Sequence, residues 1–109
     1  MMFNMPLPTD PDLLKTLLDP LLEDFQYWFE RSHTLLENEH MEFMEPGAQQ
    51  DLLSRVTEMQ KSVSAMQSLV SATNGQAGVD MKVLMDWHRL VHECWGVSMK
   101  HRQSKEYSA

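Results

Sequence analysis

His88 and His92, four positions apart, are the first residues in this 109-residue chain that could do chemistry. On a helix that spacing puts two imidazoles on one face, as helical metal sites require. Glu30-x-x-His33 and Glu37-x-x-His40 carry the spacing of metal ligands in carboxylate-rich helical bundles. Cys94 is the single thiol, so no internal disulfide can form and nothing points to an oxidising compartment. A cysteine becomes a nucleophile only beside positive charge, and no basic residue shares the immediate helical face of Cys94. Gly75-Gln76-Ala77-Gly78 lacks the lysine and the preceding strand of a phosphate-binding loop. No Ser/His/Asp arrangement can be assembled from spacing alone.

Which of these groups can meet depends on the elements that carry them. Apolar residues recur at steps of three and four and never alternate like a strand, which predicts an all-α fold. Asp10-Pro11 opens the first helix, with Asp10 as cap and proline at the tolerated first position. Its seam runs Leu14, Leu18, Leu21, Phe25, Trp28, Ser32, Leu35, widened by Leu13, Leu17, Leu22, Phe29 and Leu36. The seam keeps its phase across Asp19-Pro20, predicting one long rod kinked at Pro20 and ending near 45, before Pro46-Gly47. A second helix is predicted over 48–72, with the seam Leu52, Val56, Met59, Val63, Met66, Val70 and small residues on much of its remaining surface. Thr73–Val79 reads as a turn with Gly75 as a helix stop, and Asp80 as cap of a third helix over 81–102. Projection of that helix puts Met81, Leu84, Met85, His88, Val91, His92, Trp95 and Met99 on the inward arc, with Trp87 and Cys94 at its edge. Residues 1–9 and 103–109 read as flexible tails around a helical domain at 10–102. Short connections predict an antiparallel three-helix bundle.

This projection decides against a shared metal centre. Glu30 lies opposite the first helix's apolar seam and His33 lies well off it, whereas His88 and His92 point inward. Ligand pairs on opposite sides of their helices cannot hold one ion, so no metal or other cofactor is expected. A metal- or tetrapyrrole-binding protein using His88 and His92 is the alternative reading. A small-molecule sensor with a cavity lined by Met and Trp is a third.

The formal net charge is −7, and residues 1–45 hold ten acids against Lys15 and Arg31. Such a surface repels phosphate backbones and anionic membranes, which argues against nucleic acid and membrane partners. No stretch is apolar enough to span a bilayer, and MMFNMPLPTD lacks the pattern of a signal peptide. A cytoplasmic location is expected. The first helix, longer than the third, leaves apolar surface over, which predicts a homodimer. Leu13, Leu17, Phe29, Trp87 and Trp95 are the interface candidates. Gly96, beside Trp95, weakens its helix and suits close approach by another backbone.

Two stretches carry a resemblance: PLLEDFQYWFERSHTLLE at 20–37 and TNGQAGVDMKVLMDWHRLVHECW at 73–95. Their patterned aromatics and the W-H-x-L-V-x-E-C-W run resemble a small cyanobacterial protein family of unknown function, over most of residues 10–102. The resemblance implies a cyanobacterial cytosolic origin and supplies no activity, cofactor or site residues. The residues themselves support a non-enzymatic protein–protein interaction or scaffold module that associates with itself and with an unknown protein partner.

Overall fold

Three helices and no strands make up the described part of the chain in a computed structural model, which describes residues 11–74 and 80–108. They are α1 (Pro11–Asn38), α2 (Pro46–Ala72) and α3 (Met81–Ser108). The Asp10 cap, the Gly75 stop and the side chain of Leu13 lie outside the described residues.

α1 runs unbroken through Pro20. An internal proline removes one backbone hydrogen bond at about 3 kcal/mol, which the burial of Leu18 and Leu22 on either side of it offsets. α1 stops at Asn38 rather than near 45. Gln49, one turn into α2, is the reason. Its Nε2 donates to the carbonyls of Leu36 and Glu39 at 2.9 and 2.7 Å, and its Oε1 accepts from the Met41 N–H at 3.0 Å. One side chain thus terminates α1 and shapes the 39–45 connection, and Met41 is pushed fully into the core.

α2 starts at Pro46, two residues earlier than the pattern suggested, because proline suits a first helical turn. Its seam is the one the spacing gives, with Leu52, Val56, Val63 and Val70 buried and Met59 and Met66 half-buried. At its end Asn74 takes a left-handed conformation (φ 54°), which asparagine tolerates. Asp80 caps α3 as expected, its Oδ1 accepting from the Lys82 N–H at 2.9 Å. α3 then continues to Ser108, through residues that read as a tail.

The cross-helix contacts fix the registers. Gln26 of α1 donates to Gln60 O and Ser64 Oγ of α2 (3.1 and 2.8 Å), while Leu36 meets Gln49. Phe25 stands edge-on to Trp87 at 5.4 Å, Trp28 to Trp95 at 5.3 Å, and Glu39 pairs with His101. Positions therefore rise together along α1 and α3 and fall along α2. Arg55 of α2 clasps Glu93 of α3 with two bonds of 3.0 and 2.7 Å. Each partner's pKa moves towards its charged form, mainly through that hydrogen bond.

The largest departure from the sequence reading is the rotation of α3. Its inward row is Val83, Trp87, Leu90, Cys94, Val97 and His101, with Trp87 only 1% exposed, Leu90 and Cys94 buried and the others half-buried; Val91, expected inside, is buried beside it. Met81, Met85, His88, His92, Trp95 and Met99, expected inside, are exposed. Both rows step by four and three. Helix α3 thus carries two rows of 3.5-residue period, offset by two residues and so about 160° apart, and packing against the aromatics of α1 selects the one containing Trp87. The same burial removes two interface candidates. Phe29 is fully buried and Trp87 nearly so; both are interior residues that no partner can reach. Leu17 and Trp95 stay exposed. The expected mismatch of helix lengths is absent too, with 28, 27 and 28 residues in the three helices. Among the described residues the exposed apolar side chains include Leu17 and Leu21 near the start of α1 and Met81, Met85, Trp95 and Met99 on α3.

Candidate functional site

The second seam of α3 begins from residue types that normally seek cover. Met81, Met85, Trp95 and Met99 are 57, 49, 38 and 54% exposed. Between them the His88 and His92 rings lie 4.5 Å apart, and His92 meets the Trp95 ring edge at 5.0 Å. Across from it, α1 turns out Leu17 and Leu21, which share a helical stripe with Trp28. The Phe25–Trp87 and Trp28–Trp95 contacts set the two helices side by side. Their N-terminal halves thus form one exposed apolar face. Towards their C-terminal halves the face becomes a groove of about 420 Å³ lined by Trp28, Arg31, Leu35, Trp95, Met99 and Arg102, among others.

The candidates for chemistry are dispersed. Glu30 is exposed on α1, and His33 lies 3.9 Å from Glu37 on its own helix. Neither joins His88 and His92. Among the described residues no group of three or more His, Cys, Asp or Glu could hold a metal ion, and no polar or charged residue is fully buried. Cys94 is buried beside Ser32, and burial pushes its thiol pKa up, so it stays protonated at neutral pH. Among the described residues no helix is long and apolar enough to cross a membrane.

Two polar sites escaped the sequence reading. One is the Gln49 bracket. The other joins the end of α1 to the end of α3, where Glu39 Oε1 accepts from Lys105 Nζ at 2.8 Å and lies 3.1 Å from His101 Nε2. The Lys105 hydrogen bond, and then that of His101, hold the Glu39 carboxyl below its ordinary pKa of 4.5. A lowered folded-state pKa means a contribution present above pH 4.5 and lost as pH falls through the folded value. Glu39→Gln should therefore be less stable than the parent at pH 7. Urea midpoints of the two proteins should converge as pH drops below the carboxylate range. A gap that persists or widens there would contradict the assignment. The only signal in sequence was the basic run at 100–105, which a helix extended past 102 would have brought alongside residue 39.

Gly96 sits in the middle of α3 with open space around it, since a Cβ there would meet nothing within 4 Å. Among the described residues no backbone outside its own helix approaches it. Gly96→Ala should raise stability by about 0.5–1 kcal/mol in urea unfolding. A destabilised variant would mean that a second chain lies against this position.

Fold and site together define a small all-helical protein with an aromatic core, an uncovered apolar seam and no assembled catalytic group among the described residues. The chain belongs to the family described as "Protein of unknown function (DUF2605)", whose model matches residues 8–103. No curated protein and no solved structure matches it.

Proposed function

We propose that this chain is a non-enzymatic interaction module, an antiparallel three-helix bundle that pairs with a second copy of itself through the N-terminal half of the second seam of α3, Met81 to His92, and the Leu17–Leu21 stripe of α1. One observation carries the reading. α3 has two rows of 3.5-residue period, and the second meets the rest of the chain through Trp95 on Trp28 while Met81, Met85, His88 and His92 stay exposed. That period is the signature of a helix packed at a shallow angle on another helix, so the exposed part of the second row is shaped for a helical neighbour.

The borders of the face favour a second copy as that neighbour. Asp24 is exposed on the α1 side, Lys82 and Arg89 on the α3 side. A two-fold axis along the helices sets α1 of one copy opposite α3 of the other, so acidic border meets basic border. The acidic remainder of the surface is then left for a protein partner, in the cytoplasm of a cyanobacterium if the sequence resemblance holds. Nucleic acid and anionic membranes are disfavoured by the same charge.

Sedimentation equilibrium tests this. The parent should run at twice the chain mass, and Leu17→Glu/Met85→Glu at the chain mass with its helical circular dichroism unchanged. A parent that remains monomeric at high concentration would refute the reading.

A further inference from the structure

Lys15, Arg55, Lys61, Arg89 and Lys105 each hold a carboxylate within ion-pair distance. Besides Lys82 and Lys100, two cations, Arg31 and Arg102, hold none among the described residues, although the chain carries a net charge of −7. Both line one groove between α1 and α3. Its wall is aromatic: Trp28 and Trp95 stand edge to face at 5.3 Å. Arg31 is held in place by the aromatics. Its Cζ lies 5.8 Å from the ring centres of both Tyr27 and Trp28, and its Nη1 donates to Tyr27 Oη at 3.0 Å.

We propose that this groove binds a small aromatic carboxylate, its ring against Trp28 and Trp95 and its anionic group between Arg31 and Arg102. The volume of about 420 Å³ suits a ligand of two or three fused rings. A planar guanidinium matches a carboxylate with paired hydrogen bonds. The acidic surface elsewhere repels anions, so two unneutralised arginines on an aromatic wall form a localised attractive site. The groove lies at the C-terminal halves of α1 and α3, away from Leu17, Leu21 and Met85, so the inference does not depend on self-association.

The test uses the full chain labelled for NMR, with 2-naphthoate and its neutral analogue 2-naphthamide as probes. Naphthoate should shift the indole N–H signals of Trp28 and Trp95 saturably, and that of buried Trp87 much less. The amide should bind at least tenfold more weakly, the discrimination expected of a charge-assisted pair. Arg31→Gln/Arg102→Gln should erase the difference, and Leu17→Glu/Met85→Glu should keep it. Equal binding of the two probes, or no saturable shift with naphthoate, would overturn the proposal, whatever the oligomeric state.

Discussion

Trp87→Ala should destabilise the fold by about 3–5 kcal/mol, as large-to-small changes of buried aromatics do. Small domains hold only about 5–15 kcal/mol in total, so the variant should be partly unfolded at moderate temperature. The size follows from where Trp87 sits. It is 1% exposed, meets Phe25 edge-on, and lies in the row that pins α3 to the rest of the core. Trp95 is the internal control. It is the same residue type on the same helix, eight positions later, and 38% exposed. Trp95→Ala should cost distinctly less in urea unfolding. The reverse order would mean that α3 is rotated the other way, with the methionine and histidine seam inside.

Gln49→Leu should cost about 2–4 kcal/mol, because it leaves the Leu36 and Glu39 carbonyls and the Met41 N–H without their partner at once. The loss should be local in hydrogen exchange, with amides at 39–45 losing protection well before those at the centre of α2. Gln49→Glu retains the acceptor for Met41 but offers the carbonyls no donor, so its stability should fall between those of parent and leucine variant. A leucine variant within about 0.5 kcal/mol of the parent, the usual size of a neutral surface change, would remove Gln49 from its bracketing role.

How legible the fold was depends on the helix considered. α2 has one apolar seam and its buried residues follow directly from spacing. α1 is legible through Pro20 because its seam does not slip there, but its C-terminus is set by Gln49, thirteen residues beyond Leu36 in sequence. No local signal reveals such a partner. α3 was misread for a physical reason. A projection finds one apolar side of a helix, but α3 has large apolar side chains on two nearly opposite faces, joined on one side by Leu84 and Val91, and one neighbour cannot cover both. The Phe25 and Phe29 wall of α1 decides which seam goes inward. Turning α3 to bury Trp87 exposed His88 and His92, left Phe29 and Trp87 in the core, and added Met81, Met85 and Met99 to the free apolar surface that Leu17 and Leu21 leave on α1. The groove residues were visible one by one, yet nothing in the spacing put Arg31 beside Arg102. The continuation of α3 past 102 was hidden because its final turns are polar; Glu39 gives them their contact through His101 and Lys105.

The account rests on the N-terminal half of the second seam of α3 being covered in solution by another copy. Relaxation of methionine methyl signals by a soluble paramagnetic probe reads that cover directly, and the chain supplies its own reference in Met41, which is fully buried within one copy. Met81 and Met85, about half exposed in the single chain, should be nearly as shielded as Met41 in the parent and become accessible in Leu17→Glu/Met85→Glu, read there at Met81. If both relax in the parent as half-exposed methyls do, the seam is bare and self-association through it is wrong.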